Sequence, residues 1–229
     1  MLEGLVGERR FRAMNTDIRL VTSDWTQTVL LAGAEQVFHA IEARFSRFLP
    51  DSELTALNGR DGEVEVSPEM AAMLELALRF QALTGGIFEP ALLPALEAAG
   101  YDRSFERVER KSAAPVARPP EHHSISELKV DYERRLVAKP SGLRLDLGGI
   151  GKGFAVDQAA TVLGPVRDFL IDAGGDIFAA GQAPGRESWR IGIAAPGDPG
   201  SDLDVVTLRD QAIATSTTAA RRWRRGGRW

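Results

Sequence analysis

Between Arg144 and Ala160 the chain reads RLDLGGIGKGFAVDQAA, with glycines at positions 148, 149, 151 and 153. An apolar extended run enters this stretch. A helical pattern on Ala155, Val156, Ala159, Ala160 and Leu163 leaves it. The chain is therefore expected to pass from a strand ending near Asp146 through a glycine loop into a helix. Exposed amides at a helix start favour an anion, and Lys152 adds a point charge suited to phosphate. Asp146 could accept from a ligand N–H or hydroxyl. The plainer alternative is a glycine-rich turn with Lys152 in solvent.

Two familiar nucleotide loops fail on spacing. A Walker loop needs a first glycine where Asp146 stands and a Ser or Thr after the lysine, where Gly153 stands. A dinucleotide fingerprint needs G-x-G-x-x-G, whereas Gly149, Gly151 and Gly153 give G-x-G-x-G.

The rest of the pattern mixes strands and helices without regular alternation. Residues 10–22 alternate as a strand interrupted near Asn15. Residues 25–48 carry Val29, Val37, Phe38, Ile41 and Phe45 at helical spacing. Asp51 or Ser52 is placed to cap a short helix that Asn58-Gly59 ends. A strand over 63–66 leads into Ser67-Pro68-Glu69, a helix start, and Gly85-Gly86 stops that helix. Residues 102–124 are charged, then proline-rich, and read as a flexible excursion. Residues 128–147 read as two strands joined by a turn at Lys139-Pro140-Ser141-Gly142. Three further strands follow, then a basic tail ending in Trp229. The class expected is α+β, with a mainly antiparallel or mixed sheet and packed helices in one domain over residues 1–229.

Composition narrows function. With 44% apolar residues the chain can build a core, and a net charge of −4 gives no reason to expect nucleic-acid binding. The absence of cysteine excludes disulfides, thiolate metal sites and a cysteine nucleophile. No run reaches the roughly 18 apolar residues of a membrane span, and the first residues lack a signal-peptide core. A cytoplasmic chain is expected, or a periplasmic one if the N-terminus is incomplete.

Five stretches, taken in order, resemble the ApbE family of FAD:protein FMN transferases. FRAMNT resembles its F-x-A-M-G-T, and FSRFLPDSELTALN its S-R-F-x-P-x-S-E-L-x-x-L-N. TGGIFEPALLPALEAAGYD resembles T-G-G-A-F-D-P-x-x-x-P-L-x-x-x-W-G-F. LDLGGIGKGFAVD resembles LDLGGIAKGYAVD, and IDAGGDIFAAGQ, WRIGI and AIATS resemble the family's last strands.

The resemblance implies an α+β fold and Mg²⁺-dependent transfer of FMN from FAD to a Thr or Ser hydroxyl of an acceptor protein, releasing AMP. Such chemistry rests on charge neutralisation and positioning. By the same resemblance Met14, Phe48, Ile87, Phe88, Glu89, Asp146 and Lys152 contact FAD, and the Gly149 carbonyl ligates the metal. Each has a plainer alternative. Met14 and Phe48 could be core packing, Glu89 a solvated loop acid, and Gly174-Gly175-Asp176 a structural turn, although Asp172 or Asp176 could face the site. His122-His123 and the tail arginines read as solvated.

Two departures are small: Asn15 stands for a family glycine and Glu89 for an aspartate. The third is large. The family continues to a segment like H-H-I-I-D-P-x-T-G, whose Asp and Thr complete the metal site, and this chain reaches Trp229 without it. The chain as given is therefore expected to have little or no transfer activity, and a family-type C-terminal segment should restore it. The competing readings are a non-catalytic FAD- or nucleotide-binding module and an FAD pyrophosphatase.

Overall fold

The computed structural model describes residues 6–108, 111–112, 122–195, 198–216 and 222–225; the side chains of 111, 112, 199, 224 and 225 are excepted. In chain order the elements open with strands β1 (Gly7–Ala13) and β2 (Thr16–Thr22), helices α1 (Thr28–Phe45) and α2 (Glu53–Asn58), β3 (Gly62–Glu65), α3 (Pro68–Leu83) and α4 (Leu93–Ala98). There follow β4 (Lys111–Ser112), β5 (Lys129–Asp131), β6 (Leu136–Lys139) and α5 (Gly148–Leu163). The last are β7 (Phe169–Ala173), β8 (Asp176–Ala180), β9 (Trp189–Ala195), β10 (Asp198–Leu208), β11 (Gln211–Ala214) and β12 (Arg224–Arg225). The fold is α+β, as expected.

The chain divides into two compact units. The first comprises Met1–Ala40 and Lys152–Ala220, the second Ile41–Gly151 and Arg221–Trp229.

In the first unit, the described residues form an antiparallel five-stranded sheet in the order β1-β2-β7-β8-β11. The break read near Asn15 is the β1–β2 turn. Met14 and Asn15 both adopt left-handed backbone, φ 52° and 57°, as a two-residue hairpin turn that follows the strand twist requires. Gly174 and Gly175 make the corresponding β7–β8 turn, with φ 66° and 96°. A Cβ on Gly174 would stand 2.0 Å from Thr16 Oγ1, so only glycine fits there. Val21, Leu170, Ile177, Ala179, Trp189 and Leu208 form one buried cluster, and the Trp189 indole N–H donates to the Ala180 carbonyl at 2.9 Å. Gly33 of α1 lets that helix pass close to Val162 of α5, because a Cβ there would lie 3.2 Å from its Cγ1.

In the second unit, β3, β6 and β5 form a three-stranded antiparallel sheet. Helix α3 buries Met70, Ala71, Met73, Leu74 and Ala77, each of the larger side chains contributing roughly 1.5–3 kcal/mol. Ser67 caps α3 by accepting from Met70 N, and Ser52 caps α2 by accepting from Thr55 N, which decides between the two cap candidates. Lys139 Nζ is fully buried and donates to Asp61 Oδ1 (3.1 Å) and the Leu143 carbonyl (2.8 Å).

Several local expectations need correction. Val29 is 79% exposed; the buried stripe of α1 is Leu31, Ala34, Phe38, Ile41 and Phe45. The β5–β6 pair turns over 132–135 rather than at Lys139–Gly142. Residues 143–147 belong to no helix or strand. The glycines of 148–153 are not a loop: helix α5 begins at Gly148 and contains them. The expected three last strands are five, because glycine pairs and tight turns split long apolar runs. The expected excursion over 102–124 holds a 3₁₀ turn at Phe105–Arg107, strand β4 and a capping box at Ser124. Its residues 109–110 and 113–121 lie outside the described residues. Among the described residues, no helix is long and apolar enough to cross a membrane.

Candidate functional site

The second unit gathers side chains around Asp146. The segment before α5 is held by hydrogen bonds in place of a strand ladder. The Asn58 amide accepts from Leu145 N (2.8 Å) and donates to the Leu145 carbonyl (2.9 Å), and Asp146 N donates to the Pro90 carbonyl (2.8 Å). Asp146 is thereby delivered to the helix start with its carboxylate doubly engaged. Oδ1 accepts from Gly148 N at 2.7 Å and Oδ2 from Arg47 Nε at 2.6 Å. A Cβ on Gly148 would press to 2.9 Å of Oδ1, so glycine permits this close carboxylate–amide contact.

Arg47 was not singled out by the sequence. Its side chain is 5% exposed, and its Nη2 donates to the Tyr101 carbonyl at 2.9 Å. Its guanidinium carbon lies 4.1 Å from the Phe48 ring centroid and 4.5 Å from that of Tyr101. The two rings lie 5.7 Å apart. Tyr101 continues the aromatic group to Trp223 (5.4 Å) and Phe105 (6.1 Å). The Trp223 indole N–H donates to the Ala99 carbonyl at 2.7 Å, so the tail is not a purely solvated end at this residue. Phe48 is thus part of an aromatic group rather than ordinary core. The signal for Arg47 was its position between two phenylalanines in FSRF.

Ile87 is 90% exposed. Phe88 faces α5: a Cβ on Gly149 would lie 3.2 Å from its Cε2, and Phe80 meets its ring edge at 6.4 Å. Glu89 is not a solvated loop acid. Its Oε1 accepts from Ala91 N and Ile125 N, both at 2.9 Å, and its Oε2 from Ser124 Oγ at 2.7 Å. The carboxylate ties the 87–92 segment to the capping box at Ser124. His123 Nδ1 lies 3.0 Å from Glu127 Oε2, and the histidine holds that carboxyl below its ordinary pKa.

The first unit gathers a second group at the end of its sheet marked by the two hairpin turns. Met14 is half-buried in its turn, not in the core. Lys152 Nζ donates to Asp176 Oδ2 at 2.9 Å and approaches the Ala173 carbonyl at 3.5 Å. Asp172 Oδ1 accepts from Gly175 N at 3.1 Å, and the Gly175 carbonyl accepts from Thr215 N at 3.0 Å. Asp172 is therefore engaged within its own turn, while Asp176 balances the Lys152 charge. A phosphate arriving at Lys152 would compete with that pairing.

Gly149, expected to ligate a metal through its carbonyl, sits in the first turn of α5, where helical carbonyls point along the axis toward the following turn. Among the described residues, no group of three or more His, Asp or Glu side chains could hold a cation. The nearest carboxylate in sequence, Asp146, is engaged by Arg47 and Gly148. The described side chains therefore make no cage that would hold Mg²⁺ by themselves.

The sequence profile of the ApbE family matches residues 14–229. An FAD:protein FMN transferase of Treponema pallidum is 32% identical over 216 residues, covering 86% of this chain and 60% of the relative. One of Chlamydia trachomatis is 29% identical over 198 residues, covering 82% and 58%. The crystal structure of the ApbE protein of Thermotoga maritima superposes with a TM-score of 0.81 at 26% identity, covering 93% of this chain and 70% of that one. The flavin transferase ApbE of Vibrio cholerae gives a TM-score of 0.73 at 22% identity, covering 93% and 71%, a likeness of fold. The chain spans about 60% of the length of the curated relatives it matches.

Proposed function

This chain belongs to the ApbE family, and on that premise we propose that it serves as an FAD:protein FMN transferase, with residues 1–229 acting as one domain. A Thr or Ser hydroxyl of an acceptor protein attacks the FMN-side phosphorus of FAD. The hydroxyl proton passes to solvent, the new oxygen–phosphorus ester forms, the phosphoanhydride breaks, and AMP leaves with the anhydride oxygen. The relatives' names support flavin transfer.

The observation that carries the reading is the Asp146 cluster. It joins residues from three of the five family-like stretches, Arg47 and Phe48, Tyr101, and Asp146 with Gly148, through direct contacts. In the second unit we assign Phe48 as a ring that stacks on a planar part of FAD, Asp146 as an acceptor for an N–H or hydroxyl of FAD, and Ile87 and Phe88 as apolar contacts. Glu89 supports them by holding its segment in place. In the first unit we assign Met14 and Lys152 to FAD, with Lys152 supplying positive charge for phosphate after exchanging its Asp176 partner. Mg²⁺ dependence remains part of the proposal. Because the described side chains make no cage for the ion, no step is assigned to it.

The test incubates the chain, alone and extended by the C-terminal segment of a longer relative, with FAD, Mg²⁺ and a Thr-bearing acceptor. AMP is read by chromatography and the acceptor by mass spectrometry. Transfer predicts equal amounts of AMP and acceptor-bound FMN, suppressed by EDTA and by Asp146→Ala. AMP with free FMN and an unlabelled acceptor would assign a pyrophosphatase instead. FAD binding without AMP from either form would assign a binding module.

A further inference from the structure

The Arg47 side chain is nearly inaccessible, so its charge does not meet bulk solvent, yet it touches Asp146, Phe48 and Tyr101 together. Nε donates to Asp146 Oδ2, Nη2 donates to the Tyr101 carbonyl, and the guanidinium carbon lies within 4.5 Å of both the Phe48 and Tyr101 ring centroids. The backbone of Asp146 is fixed on its own account by Pro90, and Oδ1 by Gly148 N. What remains free is rotation of the carboxylate, which the Arg47 contact to Oδ2 stops. The planar fork also sets the two rings, because a guanidinium stacks on aromatic faces in a way an ammonium does not. Resting on the FAD reading above, we propose that Arg47 is the positioning residue of this site: it holds the Asp146 carboxylate and the Phe48–Tyr101 rings in the one arrangement that receives FAD, without touching FAD itself.

A purely structural Arg47 would tie residues 46–52 to 143–147 and do nothing more. The two roles separate in a titration of FAD by flavin fluorescence quenching, with thermal unfolding measured on the same samples. The variants are Arg47→Lys, Arg47→Gln, Asp146→Asn and the Arg47→Gln/Asp146→Asn double variant. Lys139→Met serves as a control that destabilises the same unit without removing a contact of Arg47, Phe48 or the Asp146 carboxylate. Positioning predicts that Arg47→Gln weakens FAD binding about tenfold or more. Arg47→Lys, which keeps the charge and loses the fork, should weaken it by a similar factor while folding normally. It further predicts that the double variant loses clearly less than the product of the two single losses, because part of the Arg47 effect passes through that carboxylate and part through the rings.

Full multiplication of the two single effects would overturn the proposal. So would a folded Arg47→Lys that binds FAD like the parent, or a loss of binding in Lys139→Met equal to that in Arg47→Lys at matched melting temperature. If Arg47→Gln does not fold, Arg47→Lys against Lys139→Met decides. The parent titration stands apart: a folded parent that does not bind FAD removes the FAD reading and the proposal together. A binding parent with unaffected variants removes only the role of Arg47.

Discussion

The two units hold their functional groups by different means. In the second, side chains do the holding: a buried guanidinium fixes a carboxylate and two rings, and an asparagine amide fixes the segment that delivers the carboxylate. In the first, backbone conformation does the holding: left-handed residues at Met14, Asn15, Gly174 and Gly175 make two tight turns. The lesson is that the two groups are vulnerable to opposite kinds of change. One fails when a polar side chain is removed. The other fails when a Cβ is added or a φ angle is forced.

The sharpest break of the first unit is Gly174→Ala. Its Cβ would meet Thr16 Oγ1 at 2.0 Å and Thr16 Cβ at 3.0 Å, in a backbone region that alanine avoids. A loss of about 3 kcal/mol or more is expected in denaturant unfolding, and Thr16→Ser should recover little because the backbone strain remains. In the second unit, Lys139→Met keeps the shape but leaves the buried Leu143 carbonyl without its donor. A loss of about 1–3 kcal/mol is expected there, measured the same way. A smaller effect runs the other way. Asn15→Gly relieves a left-handed residue in a hairpin turn that favours glycine at this position, and should raise stability by about 0.5–1 kcal/mol. Gly153→Ala should give a similar gain of about 0.5–1 kcal/mol, because it lies inside α5 and a Cβ there meets nothing within 4 Å. A loss in either would mean that these positions are constrained by more than local conformation.

The smallest effect is a pH dependence. The Ser141 hydroxyl and then the Lys139 ammonium hold the Asp61 carboxyl below its ordinary pKa. A carboxyl lowered in the folded state contributes stability that is full above its unfolded pKa and is lost as pH falls through the lowered folded value. The acid side of the stability profile should therefore flatten in Asp61→Asn, while the neutral side keeps its shape. A profile that stays parallel to the parent throughout would remove Asp61 from the acid response.

Legibility followed the range of the forces involved. The cap at Ser67, a cap at Asp51 or Ser52, a break near Asn15 and the stop at Gly85-Gly86 are local events, governed by residues within a few positions, and they read correctly. The break proved to be a hairpin turn between two strands. The start of α5 did not, because local propensity makes four glycines a loop. Packing overrides it: Phe88 lies where a Gly149 side chain would be, and Ile150 and Ala155 are buried. Nothing near Arg47 in the sequence marks it out, because its carboxylate partner lies 99 residues away. Trp223 looked like part of a basic tail because its acceptor, the Ala99 carbonyl, lies 124 residues away. Family likeness pointed to Asp146 and Phe48 as individuals. It did not reveal that one arginine joins them.

The pairing of Asn58 with Leu145 has one more consequence. The Leu145 amide donates to a side chain of α2 rather than to a neighbouring strand. Its exchange with solvent deuterium should follow the local opening of a six-residue helix, not the global opening of the sheet. The entrance to the glycine-rich helix would then have a clock of its own, able to loosen while β3, β5 and β6 stay closed.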